Sequence, residues 1–318
     1  MHSLHPTPKF SIITVTYNAE KVLEDTIQSV ISQTYHHVEY IIVDGASKDG
    51  TLSIIDRYRP RIHTVVSEPD KGLYDAMNKG IALAGGDYLC FLNAGDCFHE
   101  DDTLQQMVHS IHGNELPDVL YGETAIVDKD RHFLRMRRLS APETLTWKSF
   151  KEGMLVCHQA FFARHTLVEP YDLKYRFSAD FDWCIRIMKK ARTLHNTHLT
   201  IIDYLDEGMT TRNRKASLKE RFRIMARHYA DWHHSAPCMV CPAVSDPTLT
   251  AIQKNKPVNL KTFRHIEHHL LQYHSFVQCL NLLPNPFHIY RKKKSMQQCC
   301  HKQGHSVPNP LLKGYRQC

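Results

Sequence analysis

The chain has 318 residues, enough for one large or two ordinary domains, and its 42% hydrophobic and 23% charged residues fit a globular protein rather than a disordered or fibrous one. No apolar run approaches the roughly 20 residues that span a bilayer, and Met1-His-Ser-Leu-His-Pro6 lacks the basic start and apolar core of a secretory signal, so a cytoplasmic protein is expected. The net charge of +7 is unevenly spread: residues 1–211 hold 22 Lys and Arg against 29 Asp and Glu, a net of −7, whereas residues 212–318 hold 18 against 4, a net of +14.

Phe10–Val15 reads as a buried strand, and Val22, Leu23, Ile27, Val30 and Ile31 then recur at helical spacing. Val38–Val43 is a second strand, ended by Asp44-Gly45, and Ser47 and Asp49 can cap a helix through Leu52, Ile54, Ile55 and Tyr58. Ile62–Val66 is a third strand, Leu73–Ala84 a helix stopped by Gly85-Gly86, and Asp87–Leu92 a fourth strand. Asp101, Asp102 and Thr103 open another helix. This β-α-β-α order predicts an α/β protein with a mainly parallel sheet and helices on both faces. The second half is less regular: short strands at Asp118–Gly122, Thr124–Asp128 and Ala160–Phe162, a helix over Asp180–Ala191, a strand over Thr200–Tyr204, and a long basic helix over Ala216–Trp232.

Beyond about Ser235 the pattern weakens, with prolines at 237, 242, 247 and 257. One later helix stands out, with Leu260, Phe263, Ile266, Leu270, Phe276 and Val277 on one side, followed by Arg291-Lys-Lys-Lys294. With the charge split, this suits docking to an anionic membrane surface; a solvated basic tail is the plainer reading. Of the ten cysteines, Cys90, Cys97, Cys157 and Cys184 sit in or beside apolar segments and read as reduced core residues. Cys238 and Cys241 form a C-x-x-C preceded by His233 and His234, but the spacing to Cys299, Cys300, His301 and His305 fits no common zinc pattern.

Each strand of the first half ends in polar residues: Thr16, Tyr17 and Asn18; then Asp44 and the loop to Thr51; then Ser67 through Asp70 to Asp75; then Asn93-Ala-Gly-Asp96. In a parallel sheet these ends share one edge, where open α/β folds bind nucleotides. Stacking carboxylates there gains nothing structurally, because like charges repel. A nucleotide site does gain, since one carboxylate can accept from a base or ribose and another can hold a cation against a diphosphate. Neither G-x-x-x-x-G-K-[ST] nor a G-x-G-x-x-G after the first strand is present, which leaves metal plus carboxylate as the economical way to hold phosphates.

Four segments in order, the strand ending Thr16-Tyr17-Asn18, Val43-Asp-Gly-Ala-Ser-Lys-Asp-Gly-Thr51, Glu68-Pro-Asp-Lys-Gly-Leu-Tyr-Asp-Ala-Met-Asn-Lys-Gly80 and Gly86-Asp-Tyr-Leu-Cys-Phe-Leu-Asn-Ala-Gly-Asp96, resemble family 2 glycosyltransferases of the GT-A fold, and among them bacterial enzymes that build cell-surface polysaccharides. The resemblance covers about residues 8–210. Beyond it, the charge split and weakening pattern mark residues 211–318 as a basic helical extension with a partly disordered tail; within it, the resemblance implies a nucleotide-sugar-binding half over 1–115 and a catalytic, acceptor-binding half of the same domain over 116–210. It places Thr16, Tyr17, Asn18 and Asn93 against the nucleotide, Asp44 on the base (usually uracil), and Asp70 and Asp75 near base and ribose. The family's D-x-D metal motif falls on Asn93-Ala-Gly-Asp96, where Asn93 and Gly95 replace the usual aspartates and Asp96 remains as the ligand for Mg²⁺ or Mn²⁺.

The catalytic aspartate of the family maps to Asp180 in Ser178-Ala-Asp-Phe-Asp-Trp-Cys-Ile-Arg186, with Ala179 in place of the usual Glu. A single carboxylate suffices as general base for an acceptor hydroxyl that displaces a nucleoside diphosphate with inversion. Asp182, two residues on, is expected to be structural or acceptor-facing, and His158 and Gln159 to lie near the acceptor or a phosphate. The implied partners are a UDP-sugar donor and a glycan or lipid-linked acceptor, with the tail at the inner face of the cell membrane. Three rivals are weaker. A nucleotidyltransferase would carry a basic glycine-rich loop where Asn18-Ala-Glu-Lys21 stands, a nucleotide-sugar binder without turnover would explain the reduced D-x-D and Ala179, and a nucleic-acid binder rests only on the basic tail, so no nucleic acid is expected.

Overall fold

A computed structural model of the chain describes residues 7–113, 115–206 and 214–229. Met1–Ala236 form one compact unit. The C-x-x-C pair, the later cysteines, the helix expected from Leu260 to Val277 and the Arg291–Lys294 run lie outside the described residues, as does most of the basic extension.

The first half alternates as its sequence pattern predicts. Strands β1 (Phe10–Thr16), β2 (Val38–Asp44), β3 (Thr64–Ser67) and β4 (Tyr88–Phe91) alternate with helices α1 (Leu23–Ile31), α2 (Thr51–Arg57) and α3 (Leu73–Leu83). All seven residues of β1 are buried, as a strand covered on both faces must be, and its near-continuous apolar run is the sequence sign of that position. β1 pairs in parallel with β2 on one side and β4 on the other, and β2 with β3. The register sets Thr16 beside Asp44 and Asp44 beside Ser67, so the polar strand ends do share one edge.

The remaining elements are β5 (Cys97–Phe98), α4 (Thr103–Ser110), β6 (Val119–Val127), β7 (Phe133–Met136), β8 (Phe161–Arg164), α5 (Ala179–Lys190), β9 (Leu194–Leu205) and α6 (Arg214–His228). They extend one nine-stranded sheet in the order β3-β2-β1-β4-β8-β6-β9-β5, with β7 paired to β6 off this path. β8 is antiparallel to both β4 and β6, and β6 and β9 are parallel. The two short strands expected at 118–122 and 124–128 are one strand, β6, whose register to β9 shifts around Glu123. β9 begins six residues earlier than its apolar core suggests, because its first half is paired by β6 rather than buried. The sheet is thus mixed, parallel through its first four strands and largely antiparallel beyond.

Beneath the polar edge lies an aromatic cluster. Tyr171 stacks on Trp183 at 5.1 Å between ring centroids, and His158 stacks on Phe91 at 5.2 Å. Trp183 Nε1 donates to the Glu169 carbonyl at 2.8 Å. These contacts lock the end of β4, the turn at 158–160 and the start of α5 into one floor. Cys90, Cys97, Cys157 and Cys184 are buried free thiols, as expected.

Candidate active site

The ends of β1 and β2 are stitched together by side chains that leave the strands. Asn18 sits in the left-handed backbone region at φ 49°, which Asn tolerates better than most residues. Its N–H donates to Ser47 Oγ at 2.8 Å, and its side-chain oxygen accepts from Lys48 N at 2.8 Å. Asp44 is fully buried. Its Oδ1 accepts from the Ser47 hydroxyl, and its Oδ2 accepts from Ser47 N at 3.0 Å and Ser67 Oγ at 2.6 Å. The Asp44 carboxylate therefore holds the 45–51 loop in place from below. Above it, a Cβ on Gly45 would come 2.4 Å from Asp70 Oδ2 and 3.2 Å from Tyr17 Cδ2, so a side chain there would displace the Asp70 carboxylate and crowd Tyr17 at the end of β2. Tyr17 is 64% exposed, a flat ring open to a stacking partner. Asp70 accepts from Gly72 N at 2.7 Å, and Asp75, in the first turn of α3, accepts from Lys71 N at 3.0 Å.

Asn93-Ala-Gly-Asp96 is a tight turn closed by Asp96 N donating to the Asn93 carbonyl at 3.0 Å. Gly95 has φ 105°, in the region that favours glycine, and its N–H donates to Thr26 Oγ1 at 2.9 Å. Arg131 donates to the Gly95 carbonyl at 2.8 Å and to Asp25 at 3.0 and 3.1 Å, fastening the turn to α1. Gln159 bridges the turn: its Oε1 accepts from Asn93 N at 2.6 Å, while its Nε2 donates to Asp96 Oδ2. Asp96 Oδ1 accepts from Leu205 N at 2.8 Å. Burial pushes the Asp96 carboxyl up to about 7, against the lowering pull of the Gln159 and Leu205 hydrogen bonds.

Two buried acceptors at this edge have no hydrogen-bond partner, Thr16 Oγ1 on β1 and Asn93 Oδ1 after β4. An orphaned amide oxygen three residues from a buried carboxylate makes an oxygen-only donor set, which suits a hard divalent cation. Each Asp96 oxygen accepts one N–H and keeps a second lone pair. The residues present thus fit Mg²⁺ or Mn²⁺, with a bound diphosphate needed to complete the coordination. A second group, Asp128, Asp130 and His132, clusters in the β6–β7 turn. There the Asp128 carboxylate already accepts the Asp130 and His132 N–H groups, both at 2.9 Å, which accounts for it as a turn residue.

Asp180 lies in the first turn of α5, partly exposed. Its Oδ1 accepts from Tyr74 Oη at 3.0 Å, across from the start of α3. Burial, and next the nearby Asp180 charge, hold the Tyr74 hydroxyl well above its ordinary pKa, so it stays a proton donor. The sequence pattern does not single out Tyr74; the signal available is its place in Gly72-Leu-Tyr-Asp75, as the second residue of the helix that follows β3. Asp182 is fully buried and points away, to Arg186 Nε at 2.8 Å and His228 Nε2 at 2.8 Å. Burial alone would raise its pKa, yet these partners hold it below the ordinary carboxylate range. His158 is also buried, its Nε2 bonded to Tyr171 Oη and its pKa lowered by that burial. The structure thus gathers Thr16, Tyr17, Asn18, Asp44, Asp70, Asn93, Asp96 and Asp180 at one edge, and sets Asp182 and His158 beneath it.

The profile of "Glycosyl transferase family 2" matches residues 11–169, half of the chain. A PGL/p-HBAD biosynthesis glycosyltransferase of Mycobacterium tuberculosis is 35% identical over 208 residues, 63% of this chain and 78% of the relative. The putative teichuronic acid biosynthesis glycosyltransferase TuaG of Bacillus subtilis is 29% identical over 229 residues, 68% of this chain and 86% of the relative. Among solved structures, S. aureus TarS 1-349 in complex with UDP-GlcNAc superposes with a TM-score of 0.55 at 19% identity, over 70% of this chain and 66% of that one. The mannosyltransferase PcManGT from Pyrobaculum calidifontis, in complex with GDP-Man and Mn²⁺, gives 0.50 at 16% identity, over 73% and 66%. This chain therefore spans just under two thirds of those two structures, and at such identity they show the shared GT-A-like fold alone. With the profile match, the mycobacterial relative and the fold in agreement, the chain belongs to glycosyl transferase family 2 and is a glycosyltransferase.

Proposed function

We propose that the chain moves a sugar from a nucleoside-diphosphate sugar, with UDP as the nucleotide, to a glycan or lipid-linked acceptor in cell-surface polysaccharide synthesis, inverting the anomeric centre. The observation that carries this reading is Asp180, held by Tyr74 at the edge where Tyr17, Asn93 and Asp96 also lie. The acceptor hydroxyl attacks the anomeric carbon as its proton passes to Asp180, and the bond from that carbon to the diphosphate oxygen breaks. Tyr74 occupies one Asp180 oxygen, which leaves Oδ2 for the incoming proton. A cation held by Asp96 and the Asn93 amide oxygen would neutralise charge on the departing diphosphate. Tyr17 and Asp70 would receive the base, in a loop set by Asp44, with Asp75 and Asn18 beside the ribose. TarS in complex with UDP-GlcNAc and PcManGT in complex with GDP-Man and Mn²⁺ support a nucleotide-sugar donor and a cation, and TuaG supports a surface-polymer product.

No helix among the described residues is long and apolar enough to cross a membrane. The proposed placement is cytoplasmic, with the basic 212–318 segment drawing the enzyme to the anionic inner leaflet. The decisive measurement is nucleotide release and sugar transfer from a panel of nucleotide-sugars with Mn²⁺. Asp180→Asn should lower kcat by about 10³-fold, in the range of general-base loss, while donor affinity stays within a few-fold. Full activity in that variant would remove Asp180 as the base. Donor binding by the wild type without turnover across acceptors would overturn the transfer reading.

A further inference from the structure

The β6–β7 hairpin leaves its second strand unpacked. All four residues of β7, Phe133, Leu134, Arg135 and Met136, are exposed, although neighbours along a strand point to opposite faces. Phe133 is 61% exposed, Leu134 49% and Met136 42%. Seven large apolar side chains are exposed among the described residues, and three of them sit on these four positions, so this is a patch rather than scatter. Cations surround it. Lys129, Arg135 and Arg138 are exposed; Lys129 pairs with Asp130 at 3.7 Å and Arg135 with Asp206 at 3.3 Å, whereas Arg138 makes no ion pair among the described residues. Arg137 and Arg131 instead turn inward, onto the carbonyls of Leu139, Met154 and Leu155 and onto Gly95 and Asp25. Residues 128–138 carry five Lys and Arg against two Asp, a net of +3, within a body (residues 1–211) whose net charge is −7.

We infer that this hairpin docks on an anionic lipid surface, with Phe133, Leu134 and Met136 entering the headgroup region and the flanking cations meeting lipid phosphates. Of the net +3, Arg131 and Arg137 face inward; exposed Lys129, Arg135 and Arg138 against Asp128 and Asp130 leave the outer surface of the hairpin at +1, and Arg138, without an ion pair among the described residues, is the group that favours an anionic partner. A protein groove would take one face of the strand and leave the other in water, whereas a fluid interface can surround apolar groups on both faces. This contact is distinct from the basic tail, and it is joined to the candidate cation site, because Arg131 in the same hairpin grips the Gly95 carbonyl.

The test uses the full chain and vesicles of phosphatidylcholine with phosphatidylglycerol. At about 1 M NaCl, where the screening length falls to about 3 Å, attraction through the tail is suppressed and apolar insertion remains. Wild type should still partition onto the vesicles, and the triple variant Phe133→Ser, Leu134→Ser, Met136→Ser should partition about tenfold less while keeping the wild-type melting temperature. Phe133→Trp should show blue-shifted emission that brominated lipid quenches beyond the wild-type background. Equal partitioning of the triple variant at high salt, or an unquenched Phe133→Trp on vesicles that retain the protein, would overturn the inference. So would a concentration-dependent dimer abolished by the triple variant while vesicle binding is unchanged, which would assign the face to a second copy. No donor or acceptor sugar enters the measurement, so its failure is separate from failure of the transfer reading.

Discussion

Two single residues decide how the site is built. Tyr74 donates to Asp180 at 3.0 Å, and its buried ring lies 5.3 Å from that of Tyr171 in the aromatic floor. A hydrogen bond to a charged acceptor is worth about 1.5–3 kcal/mol, and here it occupies Asp180 Oδ1, leaving Oδ2 for the proposed proton transfer. Tyr74→Phe should therefore lower kcat about tenfold with the donor KM unchanged; a change in donor KM alone would show that Tyr74 serves binding instead. Gly95 stands where the D-x-D pattern would carry its second carboxylate, and its backbone accounts for the glycine. At φ 105° a side chain is strained, and a Cβ there would sit 3.3 Å from Leu205 Cδ2 and 3.6 Å from Val22 Cγ2. Restoring the motif with Gly95→Asp should cost about 1–2 kcal/mol of stability, seen as a lower thermal midpoint, without tightening Mn²⁺ binding. The sequence marks Gly95 as a departure from D-x-D; the backbone angle that makes glycine fit appears only in three dimensions.

At the scale of elements, the start of α5 is placed by α6. The Glu220 carboxylate accepts from the N–H groups of Arg176, Phe177 and Ser178 at 2.7–2.9 Å, where the chain enters α5. Asp182, two residues on and facing away from Asp180, accepts from Arg186 on its own helix and from His228 at the end of α6. Helix α6 is therefore part of what holds the start of α5, and with it the proposed base Asp180, although the charge change near residue 211 suggests the start of a separate basic extension. The alternation of apolar and polar residues could not reveal this, because the joining groups are a carboxylate, an arginine and a histidine scattered over 46 residues. Removing one partner of a buried ion pair typically costs about 3–5 kcal/mol. Asp182→Asn should accordingly lower unfolding free energy by about 3 kcal/mol and reduce kcat more than donor affinity, as urea titration and donor-binding calorimetry would show. A variant with wild-type stability would mean that α5 is held by Glu220 and the aromatic floor alone.

At the scale of the whole molecule, the parallel half of the sheet was legible because each strand is followed by its own helix, and the sharing of one polar edge follows from that order. The antiparallel half was not, because β8 lies between β4 and β6 through pairings far apart in sequence, and β5 and β7 are too short to carry a pattern. The opposite edge of the parallel half has its own fastening. Glu39 on β2 accepts from Lys9 Nζ at 2.8 Å, Ser11 Oγ at 2.6 Å and Gly85 N at 2.6 Å, tying β2 to β1 and to the loop entering β4. Burial by itself would raise the Glu39 pKa, but these donors bring it down to about 2 from an ordinary 4.5. A depressed carboxyl stabilises the fold above its unfolded pKa, and that contribution is lost as pH falls from about 4.5 through about 2. Between pH 7 and pH 3 the loss from this one group is on the order of 2 kcal/mol. Glu39→Gln should be less stable than wild type at pH 7 and should lose about 2 kcal/mol less on acidification to pH 3, so that the two urea-unfolding curves converge. Curves that stay parallel across that range would show that Glu39 titrates alike in the folded and unfolded chain, and that the clamp at this edge rests on the neutral hydrogen bonds of Ser11 and Gly85.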